Sequence, residues 1–211
     1  MKFAIITHVL HKEQNEEHFA YEPYVREMNL WGKYVQEIIV LAPKTLDKIS
    51  PIEVAYKHSK IRFEEIPEFN ITSLINIIKS FFIIPLILWR IFFVMKKADH
   101  IHLRCPGNIG LLGCFVQIFF PKKAKTAKYA GNWDPNSKQP ITYRLQKWIL
   151  SNTFLTKNCK VLVYGEWENQ SKNILPFFTA SYKKNEIEKF QEKNLNNEIN
   201  FIYVGTFSKG K

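Results

Sequence analysis

The side chains best suited to chemistry fall in a few short stretches of this 211-residue chain. His8 closes the apolar run Phe3-Ala4-Ile5-Ile6, at the carboxyl end of a first strand, where open α/β sheets bind ligands. Its imidazole either faces such a ligand or is satisfied by loop backbone. Arg104 and Asn108 flank Cys105-Pro106-Gly107 at the end of a later apolar run. A guanidinium at that edge suits a phosphate, or else pairs with a carboxylate. Asn132, Trp133 and Asp134 follow a third run. Lys122, Lys123, Lys125 and Lys128 put four ammonium groups within seven residues, either a contact for an anionic membrane surface or a solvated turn and strand edge. Glu22, Tyr24, Arg26 and Glu27 read as surface and capping residues of a first helix.

Positioning these groups takes an alternation of strands and helices. Strands are expected at Phe3 to Ile6, Glu37 to Leu41, Ile61 to Ile66, His100 to Arg104, Thr126 to Ala130 and Val161 to Tyr164. His8 to about Glu17 reads as a polar loop. Helices are expected around Tyr24 to Tyr34, over Ile109 to Phe120, and from Pro140 to about Leu155. In the last of these, Ile141, Leu145, Trp148, Ile149 and Leu155 form the buried side, with Arg144 and Lys147 outside. Strand, helix, strand in repetition implies a Rossmann-like, doubly wound parallel sheet of the α/β class. Ile71 to Met95 is the most apolar segment. Lys79, Pro85 and Arg90 interrupt it, so a transmembrane span over 71–95 is not favoured. It reads either as a pair of core helices or as a face that dips into a bilayer, with Arg90, Lys96 and Lys97 reaching for headgroups. The charged stretch 181–199 reads as a linker, dividing a domain over 1–180 from a fresh strand and turn over 200–211.

Composition narrows the class. A formal charge of +11 attracts phosphate-bearing partners. The chain lacks zinc-finger spacing, an aromatic-basic RNA-binding signature and a basic region with heptads, which argues against nucleic acid. Cys105, Cys114 and Cys159 show no Cys-x-x-Cys spacing, so neither a disulfide framework nor a metal site is expected and a reducing cytoplasm fits. The first strand leads into His8-Val9-Leu10-His11 rather than Gly-x-Gly-x-x-Gly, against a dinucleotide-dependent oxidoreductase.

The layout resembles the GT-B glycosyltransferases, in particular the retaining bacterial enzymes of surface and capsular polysaccharide assembly, over the whole chain. The resemblance is carried by Lys2 to His8, by His100-Ile101-His102-Leu103-Arg104-Cys105-Pro106-Gly107-Asn108, by Tyr129-Ala130-Gly131-Asn132-Trp133-Asp134 and by the closing Tyr203-Val204-Gly205-Thr206-Phe207-Ser208-Lys209-Gly210-Lys211. It implies an acceptor-side domain followed by the opening of a donor domain, the chain stopping early in the second. It also implies sugar transfer from a nucleotide sugar to a lipid-linked or saccharide acceptor at the cytoplasmic membrane, with no cofactor or metal. His8, Arg104, Asn108, Asn132, Trp133 and Asp134 would then meet the acceptor, the asparagine and aspartate bonding hydroxyls and the indole stacking on a sugar or plugging the core. Gly205, Lys209 and Lys211 would hold the leaving nucleoside diphosphate, or else form an exposed basic tail. Three departures stand out. Thr206 occupies the place of an arginine, no Gly-Gly pair follows the first strand, and no histidine follows the fifth. The Glu-x7-Glu pair of the donor domain has no counterpart, so catalytic residues are unassigned, and a non-catalytic acceptor- or membrane-binding module is the alternative.

Overall fold

The structure, a computed structural model, describes residues 1–68, 74–178 and 202, with the side chains of 74–79 and 81 outside that description. The chain divides into two units, Met1–Thr179 and Ala180–Lys211. The expected linker and donor-domain opening, with Gly205, Lys209 and Lys211, lie outside the described residues.

The core of the first unit is a seven-stranded, wholly parallel sheet. Its strands are β1 (Lys2–Ile6), β4 (Glu37–Ala42), β6 (Ile61–Glu65), β7 (His100–Cys105), β8 (Ala124–Tyr129), β9 (Cys159–Val163) and β10 (Ile174–Pro176), in the spatial order β10-β9-β8-β7-β1-β4-β6. Chain order reverses between β1 and β7, which gives the doubly wound Rossmann-like order with one strand added at an edge. β1 and β4 are buried on both faces and read as continuous apolar runs, as parallel strands do. Residue parity then sorts side chains between two cores. Phe3, Ile5, Ile38 and Val40 pack under α1 (Glu22–Gly32). Ala4, Ile6, Ile39, Leu41, Ile101 and Leu103 pack under a second layer of α2 (Leu74–Lys97), α3 (Asn108–Val116) and α4 (Ile141–Ser151).

Four expectations are corrected. The polar loop after His8 contains two short strands, β2 (Lys12–Gln14) and β3 (Glu17–Tyr21), which pair antiparallel and, with β5 (Glu53–Ala55), form a small side sheet. Asn15 and Glu16 both take positive φ, the geometry of a two-residue hairpin turn. The apolar segment is one helix running through Pro85, not a pair, and among the described residues no helix is long and apolar enough to cross a membrane. In α4 the buried residues are Gln146, Ile149 and Leu150, whereas Ile141 and Trp148 are 79% and 59% exposed. The lysine run is not a solvated strip. Of the four only Lys122 is exposed, Lys123 donates to the Lys96 and Ala98 carbonyls at the end of α2, and Lys125 and Lys128 are buried on opposite faces of β8.

Candidate functional site

The reversal of strand order leaves a crevice at the carboxyl edge of the sheet, because the loops after β1 and β7 turn to opposite faces. A cleft of roughly 270 Å³ opens there. His8 after β1, Pro43 after β4 and Glu68 beyond β6 form one side. The turn Pro106-Gly107-Asn108-Ile109 after β7 and Tyr143 in the first turn of α4 form the other.

The β7–α3 turn is shaped by close approach. A Cβ on Gly110 would stand 2.6 Å from the Arg104 carbonyl oxygen, so a side chain there would force the start of α3 off the strand that feeds it. A Cβ on Gly107 would stand 2.6 Å from His8 Nδ1, which shows how tightly the imidazole lies against the turn. Gln146 fixes the turn from α4, its Oε1 accepting from the Gly107 N–H at 3.3 Å. The first turn of α3 has no side-chain cap. Its leading N–H groups, which lack partners within the helix, therefore give this wall a positive helix end suited to an anionic group. His8 is exposed at the mouth, and its pKa is lowered, first by desolvation and then by the nearby Arg104 guanidinium. It is thus a neutral acceptor or donor for a hydroxyl at physiological pH.

Of the residues singled out from sequence, the cleft brings together His8 and Asn108. Arg104 lies lower, on the α1 face, where its Nη1 donates to Glu27 Oε2 at 2.8 Å and its guanidinium rests 5.5 Å from the Tyr24 ring centroid. Trp133 is 1% exposed in the α2–α4 core, with its Nε1 donating to Gln170 Oε1 at 2.9 Å, Tyr129 edge-on to it and the Lys147 ammonium over its ring. Its indole is enclosed by protein. Asn132 Oδ1 and Asp134 Oδ1 accept from the N–H groups of Asp134 and Asn136, two successive side-chain turns that hold the loop. None of these three lines the cleft.

Glu68 and Tyr143 were missed. Neither sits in a motif, and only the folding of distant segments onto one edge makes them neighbours. Tyr24 and Glu27 were read as surface groups, yet they are 1% and 3% exposed, on the face of α1 that meets the sheet. Tyr24 belongs to a buried chain in which its hydroxyl bonds that of Tyr56 at 2.9 Å, and Tyr56 bonds His11 Nε2 at 2.9 Å. His11 Nδ1 donates to the Val9 carbonyl, which leaves Nε2 as the acceptor. Desolvation holds His11 neutral, with a pKa of about 4, and raises Tyr24 to about 12.

Beneath the cleft floor the α1 face carries a concentration of buried charge. Arg104 is paired in register with Lys128, and Glu27 comes down from α1 between the helix and the sheet. Lys128 Nζ has no hydrogen-bond partner among the described residues and lies 4.0 and 4.2 Å from the centroids of Tyr164 and Phe177. Desolvation lowers its pKa to about 8. The same face of β7 and β8 holds His102, whose Nδ1 bonds Thr126 Oγ1 at 2.8 Å and whose pKa desolvation depresses to about 3. Among the described residues no group of histidine, cysteine and acidic side chains could hold a metal ion.

The sequence matches no protein-family model and no curated protein. One solved structure bears a slight likeness, a Listeria monocytogenes protein provisionally titled a UDP-N-acetylglucosamine 2-epimerase. It is 14% identical with a TM-score of 0.40, over 70% of this chain and 36% of that one. The present chain therefore spans about a third of that structure's length. At such a score the likeness carries no argument about function, and the fold assignment stands on strand order.

Proposed function

We propose that the Met1–Thr179 unit is the acceptor-side half of a GT-B-type glycosyltransferase, which passes a sugar from a nucleotide sugar to a lipid-linked or saccharide acceptor in polysaccharide assembly. The observation that carries this reading is the cleft at the strand-order reversal, where a neutral imidazole faces an uncapped helix end. Such a pair suits an acceptor with both a hydroxyl and a phosphate. The α3 N-terminus holds the anionic oxygens, and His8 orients the hydroxyl and can take its proton. Glu68 on the opposite wall bonds further hydroxyls. The resemblance of the strand and loop motifs to this family supports the sugar chemistry, and the cleft supports the reading of this edge as a binding site.

Asn108→Asp tests the reading. An acid in the first turn suits a helix N-terminus, so stability holds or rises, while a phosphate at that wall is repelled. Calorimetric titration of the full chain with a short polyisoprenyl phosphate should show binding that weakens about tenfold or more in Asn108→Asp and in His8→Ala. Binding unchanged by both variants would remove the cleft from the account.

A further inference from the structure

The layer of α2, α3 and α4 presents an outer surface unlike that of a helical layer facing water alone. In α2, Phe82, Leu86, Trp89 and Phe93 are 74%, 45%, 61% and 36% exposed. Their spacing of four, three and four residues keeps all of them on one side of the helix, in a stripe roughly 16 Å long. Beyond α2, Phe119 in the turn after α3 is 72% exposed and Trp148 in α4 is 59% exposed. An exposed apolar stripe of this kind marks an interaction surface.

Charge selects the occupant. α2, α3 and α4 contain no aspartate or glutamate, whereas α2 and α4 carry the exposed Lys96, Lys97 and Arg144. Lys96 and Lys97 are exposed at the end of α2, next to Lys123, which binds the helix's last carbonyls, and to the exposed Lys122. At the far end of α4, Lys157 holds its ammonium 4.9 Å from the centroid of the exposed Phe154 ring. Exposed aromatic side chains beside a cluster of lysines, whose neighbouring acid Asp99 accepts from the Lys2 N–H, match the headgroup boundary of an anionic bilayer, where apolar rings sink and basic groups stay at the phosphates. We propose that this face docks the protein flat on an anionic lipid surface. Ile141, also exposed, lies two residues before the cleft residue Tyr143 at the start of α4.

The inference does not depend on sugar transfer, and its test reads no activity. The purified full chain is floated with vesicles of phosphatidylcholine alone and of phosphatidylcholine mixed with phosphatidylglycerol. Partition onto the mixed vesicles, lost as salt is raised, is the expected result. Trp89 and Trp148 fluorescence should then be quenched by brominated acyl chains, and more weakly in Trp89→Ser. Lys96→Glu combined with Lys97→Glu removes no apolar contact, so it leaves the fold intact and lowers partition by about tenfold or more. Equal flotation on both vesicle types, or partition unaffected by the double charge reversal, overturns the proposal. So does failure to float with self-association in sedimentation, which would assign the face to a second copy of this chain.

Discussion

Arg104 offers the sharpest test of how the buried charges are arranged. Its side chain is 13% exposed and that of Glu27 is 3%, and their single contact is the 2.8 Å bond from Nη1 to Oε2. Glu27 Oε1 has no hydrogen-bond partner among the described residues, so the guanidinium is the carboxylate's main compensation. Arg104→Met removes it while keeping most of the apolar stem, leaving a carboxylate between helix and sheet. Breaking a buried pair from one side costs about 3–5 kcal/mol. For a chain of this size that lowers the melting temperature by roughly 6–20 °C, at about 2–4 °C per kcal/mol. Glu27→Met on the Arg104→Met background removes the orphaned charge and should recover most of the loss, giving a coupling energy above about 2 kcal/mol in a double-mutant cycle. Thermal denaturation of the four proteins by circular dichroism measures it. The result that refutes the reasoning is an Arg104→Met melting temperature within about 2 °C of the parent, together with lost phosphate binding. That outcome would put the guanidinium in the cleft and not under α1.

Two further outcomes follow from the same arrangement. His11 and His102 are buried and neutral, with pKa values of about 4 and about 3 set first by desolvation. Both lie below the unfolded value, so the unfolded chain binds more protons as pH falls through the histidine range. Stability should drop by about 2 kcal/mol per histidine, about 4 together, between pH 7 and pH 5, read as a falling urea midpoint; a flat profile would contradict the burial of these rings. Gly110→Ala and Gly107→Ala should separate stability from binding. The first drives a Cβ against backbone and costs about 1–3 kcal/mol, whereas the second presses mainly on the His8 ring and shows chiefly as weakened ligand binding in calorimetry.

How much of this was legible beforehand can be seen on β7. His100-Ile101-His102-Leu103-Arg104-Cys105 alternates polar and apolar residues, so the sequence alone implies a strand with two unlike faces. Similar runs placed six of the seven strands of the main sheet, and the turn chemistry of Pro106-Gly107 marked the loop that became one wall of the cleft. β10 escaped because three residues carry no period, and β2 and β3 because their hairpin is short and polar.

His8 and Asn108 were recognisable because a strand's end is a local property, and strand ends are where parallel sheets bind ligands. The fate of Arg104, Lys128 and Trp133 was not local. Alternation says that Arg104 and Leu103 point to opposite faces, but not that α1 covers one of them and brings Glu27 to the guanidinium. Likewise nothing near Trp133 announces the distant Gln170 that satisfies its indole, and nothing near Trp89 announces that the residue is 61% exposed. The sequence determined the strands, their parallel winding and the edge at which ligands would gather, because those follow from short-range periodicity. Which polar groups reach that edge and which are sealed beneath it was decided by long-range packing, where the cost of burying a charge is settled by whichever partner the fold delivers.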